Sequence, residues 1–267
     1  MILPEAHSTK LLQHLLEQFR QLGLSPILGA EIEFYLFPDK SPIEKLQLDF
    51  PIEQEKGLNQ FEVKTNHSAD IFCQIQQLLD LKEIIINQAL RQGMIASFNA
   101  KPVPDRPGSA LHIHLHLENE QGENLYIKQN GQETTIMLHS IGGLCTTMEE
   151  NMLIFAPYKE AYLRYKGDSL ESPSKICWGG NNRSAAIRIP LDEKFNRRLE
   201  HRVSCADSSP IEVICAILYG IYKGITEKII PSEKLYGNAF LEQYDYPLLP
   251  QDINTAKKIN KHLFGKL

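Results

Sequence analysis

Several features that would set a chain apart from ordinary globular proteins are missing or scarce here. The 267 residues include one tryptophan and five cysteines, at positions 73, 145, 177, 205 and 215, with no Cys-x-x-Cys pair among them. An odd count with that spacing favours reduced thiols in a cytoplasmic protein, each read as a small buried apolar side chain. No apolar run approaches the ~20 residues of a membrane span; Val213 to Tyr222 reaches about half of that. The first residues, Met-Ile-Leu-Pro-Glu-Ala-His, carry neither a basic segment nor a small-residue cleavage site, so no export signal is read. Positive charge is not in excess either. The 28 Lys and Arg stand against 33 Asp and Glu, a formal charge of −5, which argues against nucleic acid as a partner. Low-complexity tracts and internal repeats are absent.

What remains is 42% hydrophobic and 23% charged, enough for a substantial core in one domain over 1–267. Ser8-Thr9 followed by Leu11, Leu12, Leu15, Leu16, Phe19 and Leu22, then Gly23, predicts a capped amphipathic helix. Strands are expected over 27–37, 59–64, 94–98 and 110–117, with a loop over 38–57 that has room for a short strand. Ser68 opens a helix to Arg91, and 134–155 is helical by pattern with Gly142-Gly143 weakening its middle. Short strands near 175–178, 185–189 and 199–203 precede helices over 210–223 and the last dozen residues. Strands and helices mix without strict alternation, which indicates an α+β fold.

Chemistry concentrates on the strands. Glu31 and Glu33, two apart, share a strand face, where like charges repel unless a cation lies between them. His112, His114 and His116 alternate with apolar residues, so the three imidazoles also share a face; His-x-His suits metals or phosphate. Either set alone also fits a solvated strand face, and His116 fits that reading better. Glu55, Glu62, Glu200, Arg183, Arg188 and Arg202 are each ordinary surface charges taken singly. Jointly they form a set of hard oxygen ligands and guanidinium forks, which suits Mg²⁺ or Mn²⁺ and phosphate in metal-assisted phosphoryl transfer.

In order, Gly29-Ala-Glu-Ile-Glu-Phe-Tyr-Leu-Phe, Asn59-Gln-Phe-Glu-Val, Lys101-Pro, Gly108-Ser-Ala-Leu-His-Ile-His, Trp178-Gly-Gly-Asn-Asn-Arg-Ser-Ala-Ala-Ile-Arg-Ile-Pro and Leu199-Glu-His-Arg resemble the glutamine synthetase catalytic domain, strongest over 20–225. The resemblance implies a curved antiparallel sheet backed by helices. It also implies an ATP- and metal-dependent ligase that forms a γ-glutamyl amide from glutamate and ammonia or an amine, through γ-glutamyl phosphate. By position, Glu33, Glu55 and Glu62 match the ligands of one metal, and Glu31, His112 and Glu200 those of a second. His114, Arg188 and Arg198 match nucleotide contacts, and Arg183 the arginine that stabilises the transferring phosphoryl group. Tyr162-Leu-Arg164 resembles the segment that holds the glutamate α-carboxylate, Arg202 an arginine beside the reacting carboxylate, and Gly108 a glycine whose backbone lies against substrate. Glu171-Ser-Pro resembles the flap whose glutamate takes a proton from ammonium.

The sequence also departs from the family pattern. About twenty residues precede the Glu-x-Glu strand, so a counterpart of the family's N-terminal β-grasp domain is not expected in it, nor the usual ring, although another homo-oligomer is allowed. The stretch from Glu33 to Glu55 is short, Pro107 stands in place of an asparagine and Ala110 in place of a glycine. Two other classes compete with the ligase: a catalytically weak relative that binds ATP or a metabolite as a regulator, and a His-x-His metal hydrolase. The latter lacks later ligands, since only His201 and His262 follow His139.

Overall fold

The computed structural model describes residues 5–39, 43, 46, 48, 50–166, 172–191 and 196–260. Helix α1 (Glu5–Gln21) buries Leu11, Leu12, Leu15 and Phe19 at helical spacing, and Gly23, at φ +68°, turns the chain out of it. Only glycine adopts that left-handed conformation without strain. Strand β1 (Leu24–Phe37) is followed by β2 (Ile52–Gln54) and β3 (Gln60–Lys64). Helix α2 (Ile71–Arg91) is capped by Asp70, whose carboxylate accepts from the Cys73 N–H at 2.9 Å. The expected cap at Ser68 is displaced because that residue exchanges backbone hydrogen bonds with Leu28 of β1.

Strands β4 (Ile95–Ser97) and β5 (Leu111–Asn119) come next, then α3 (Thr135–Met148), a 3-10 turn over Glu149–Asn151 and α4 (Met152–Phe155). The helix expected over 134–155 is therefore interrupted near its end, not at its glycine pair. After β6 (Trp178–Gly179), β7 (Ile187–Arg188) and β8 (Leu199–His201) come α5 (Pro210–Thr226) and α6 (Ile253–Ile259). The last helix begins earlier than expected, at an Asp252 cap, and the part expected beyond 260 lies outside the described residues. Gly143 is required where α3 crosses α5, since a Cβ there would lie 2.0 Å from the Gly220 carbonyl oxygen.

The strands form one eight-stranded sheet in the order β2-β3-β1-β5-β8-β7-β6, with β4 also on β1. All pairings are antiparallel except β6 with β7, so the sheet is mixed. Its two faces differ in the way alternation predicts. Ala30, Ile32 and Phe34 of β1, with Leu111, Ile113 and Leu115 of β5, are buried in the main core. The α1, α2, α3 and α5 helices contribute to the same core, and the opposite face carries the polar side chains. Among the described residues no helix is long and apolar enough to cross a membrane. All five cysteines are free; Cys177, Cys205 and Cys215 are buried as expected, Cys145 is half-buried, and Cys73 is exposed on α2.

Candidate active site

Cross-strand register sorts the polar face into three rows. In the first, Glu53 of β2 faces Glu62 of β3, which faces Glu33 of β1. The second runs from Lys64 of β3 through Glu31 of β1 to His112 of β5. The third takes Gly29, His114, Glu200 of β8 and Arg188 of β7. Directly opposed residues stand about 4.5–5.5 Å apart at Cβ, so residues far apart in sequence become neighbours. Gly29 has no side chain because a Cβ there would lie 2.0 Å from the His67 ring, which stacks near His114 with centroids 6.2 Å apart.

The rows line a cleft of about 230 Å³. Eleven of the expected residues meet there: Glu31, Glu33, Glu55, Glu62, His112, His114, Arg183, Arg188, Arg198, Glu200 and Arg202. Among the described residues, two groups offer ligand atoms that all lie within 4.8 Å of one another. One is Glu31, His112 and Glu200, the set expected for the second metal. The other is Glu33, Glu62 and His112, so His112 closes the group where Glu55 was expected; Glu55 lines the cleft wall instead.

Electrostatics sets these carboxylates apart. Burial pushes Glu33 up to about 8, with Arg164 opposing and Glu55 adding to the rise. Glu62 is pushed up to about 9, by burial first and then by Glu31, against the pull of Lys64. Burial also acts on Glu31 and Glu200, but there it is outweighed. His112 and His114 hold Glu31 below the usual carboxylate range, and Arg202, with the histidines and Arg188, holds Glu200 at about 2. His112 is itself pressed down to about 4 by burial and Arg202, so it is neutral at pH 7 and able to ligate. Its Nε2 is buried without a hydrogen-bond partner. That orphaned nitrogen amid facing, protonation-prone carboxylates fits a hard divalent cation, which would satisfy both.

Hydrogen bonds fix the carboxylates and imidazoles of the cleft. One Glu33 oxygen accepts from the Ala110 N–H at 2.8 Å and from Gln60 at 3.2 Å, while Gln60 also donates to the Gly108 carbonyl at 3.0 Å. Glu200 is fully buried and takes one arginine on each oxygen, Arg202 and Arg188, both at 2.6 Å. Asn181 accepts from Arg188 on the outer side. Arg198 donates to His114 Nδ1 at 3.0 Å, which puts the ring proton on Nε2, 3.2 Å from Glu31. Arg183 is exposed at the lip.

Two expected residues are not among those that line the cleft. Arg164 is buried, donating to the carbonyls of Arg202 and Val203 at 3.0 and 2.6 Å. Gly108 packs against it, since a Cβ would come 2.8 Å from Arg164 Cγ. Glu171 falls outside the described residues. His116, expected on an exposed face, is buried and contacts Glu118 at 3.1 Å. Sequence reasoning missed Gln60 and Lys64, although both share the Glu62 face at two-residue spacing.

A family model described as glutamine synthetase, catalytic domain, matches residues 44–261. Escherichia coli γ-glutamylputrescine synthetase PuuA is 29% identical over 279 aligned residues, covering 88% of this chain and 58% of its own. The glutamine synthetase of Sulfolobus acidocaldarius is 33% identical over 190, covering 69% of this chain and 39% of its own. This chain thus spans little more than half the length of PuuA. A GmaS–ADP complex superimposes with a TM-score of 0.83 at 22% identity, over 94% of this chain and 67% of that one, a likeness of fold. With the family model extending over most of the sequence, this chain belongs to the glutamine synthetase catalytic-domain family.

Proposed function

We propose that this chain carries the reaction centre of an ATP- and divalent-metal-dependent carboxylate–amine ligase. It would form a γ-glutamyl amide, glutamine or a γ-glutamyl-amine, from glutamate through γ-glutamyl phosphate. One observation supports this most: two ligand groups share His112 in a single cleft walled by Arg183, Arg188, Arg198 and Arg202. Mg²⁺ or Mn²⁺ bound there would neutralise a nucleotide phosphate tail and polarise the transferring group. The protein's own part is positioning. The Ala110 N–H and Gln60 aim Glu33, and the arginine pair aims Glu200. Arg183, whose planar fork reaches the lip, is assigned to charge that develops on the phosphoryl oxygens. His114, Arg188 and Arg198 are assigned to phosphate oxygens, and Glu171 to proton removal from the amine.

Arg202 is assigned to the reacting carboxylate, with Gly108 beside the substrate. Arg164, expected at the α-carboxylate, is assigned instead the support of the 202–203 backbone that carries Arg202. PuuA is named for a γ-glutamyl product of putrescine, so the amine panel extends from ammonia to alkyl amines. Five free thiols support a reducing, cytoplasmic setting. The test is release of ADP and phosphate with glutamate and Mg²⁺ or Mn²⁺, across ammonia and that panel. Metal-dependent turnover with one amine supports the ligase. Metal-dependent ATP binding without turnover on any amine overturns it.

A further inference from the structure

The sheet register puts Lys64 beside one carboxylate of each ligand group. It lies opposite Glu31 on β1 and two residues from Glu62 on the same face of β3. Its Nζ is 3.2 Å from Glu62 and 3.7 Å from Glu31, one carboxylate of each group. A third carboxylate, Glu53, belongs to neither group and sits further out on β2, 2.7 Å from the same Nζ. The Glu53 side chain is 60% exposed and that of Lys64 40%, against 5% for Glu62. One ammonium position therefore serves all three, hydrogen-bonded to the wetter Glu53 and ion-paired with the two buried carboxylates.

We propose that Lys64 is a tethered counter-ion of the metal centre, ion-paired to one carboxylate of each ligand group in the metal-free chain and left on Glu53 alone when a divalent ion loads. This rests on the reading of the cleft as a metal centre. The physical reason is competition for the same oxygens. Divalent ions held by the two groups, through Glu31 in one and Glu62 in the other, would take the oxygens that the ammonium contacts, and like charges brought to the same oxygens repel. Both cannot stay. The flexible four-carbon stem of lysine permits the move, as the compact ammonium has no fixed fork geometry to give up. The metal-free cleft is then partly neutralised by the protein itself, and metal affinity is set below that of the bare carboxylates.

Two measurements test this. Calorimetric Mn²⁺ titration of Lys64→Met and Lys64→Gln, each checked for native circular dichroism, should show binding tighter by about tenfold than the native chain, the scale of one charge-assisted hydrogen bond. On the native chain, acylation of Lys64 by an amine-reactive ester, read by peptide mass spectrometry, should rise when Mn²⁺ saturates the site. Variant affinities within about twofold of native overturn the proposal, as does unchanged Lys64 acylation. If neither native nor variant chains bind Mn²⁺, the metal-centre reading itself fails and takes this proposal with it. Native binding with unaltered variants defeats the role of Lys64 alone.

Discussion

Glu33 and Glu62 face each other across the β1–β3 pairing, 7% and 4% exposed, with no apolar spacer between them. Burial raises both, to about 8 and about 9, with Glu55 adding to the first and Glu31, then Glu33, to the second. A carboxylate whose folded value is raised keeps its proton after the unfolded chain has released it at about 4.5, so stability is lost as pH rises through the folded value. His112 and His201, pushed by burial to about 4 and about 3, give the opposite slope, but only below their ordinary 6.5. Thermal unfolding in EDTA should therefore show Tm falling from pH 7 to 9. Saturating Mn²⁺ should remove that fall, with a gain that grows with pH. A flat Tm in EDTA over this range would contradict the paired-carboxylate account.

Glu200 joins two arginines, and Arg202 is 1% exposed. Glu200→Gln leaves a buried guanidinium without its counter-charge, at a cost of about 3–5 kcal/mol. Denaturant unfolding of the metal-free protein should show that loss. Mn²⁺ binding should weaken together with it, because the same oxygens serve the first ligand group.

Arg183 stands exposed at the lip, so replacing it should leave the fold intact. Arg183→Lys keeps the charge but loses the planar fork, and kcat should fall by about 10² with ATP affinity little changed. A variant with native turnover removes Arg183 from the chemistry.

Away from the cleft, Gly143→Ala drives a methyl against the Gly220 backbone, 2.0 Å from its carbonyl oxygen. Neither helix can yield by a rotamer change, so destabilisation of about 1–3 kcal/mol is expected. The Tm should drop by several degrees while Mn²⁺ affinity per folded molecule is unchanged.

Local patterning made much of this legible. Glu31 with Glu33, and His112 with His114, were assigned to shared faces from two-residue spacing alone, because strand alternation is a property of a single backbone. Motif order along the chain then pointed to the family, with its α+β sheet and most of the cleft. Gln60 and Lys64 share the Glu62 face by the same periodicity but were not singled out. Nothing local, however, showed that a lysine would be aimed at two ligand carboxylates or that a glutamine would hold Glu33.

Composition and alternation by themselves determined the class of fold, the polar and apolar faces of β1 and β5, and the inventory of carboxylates, imidazoles and arginines. Only the tertiary structure decided which of these bring their ligand atoms together. Register couples strands as remote as β2 and β8 through backbone hydrogen bonds, and a slip of one residue would reverse every face. That coupling put His112 in both ligand groups and left Glu55 on the wall. Packing outside the sheet committed Arg164 to backbone carbonyls, because a buried guanidinium takes the nearest acceptors once water is excluded.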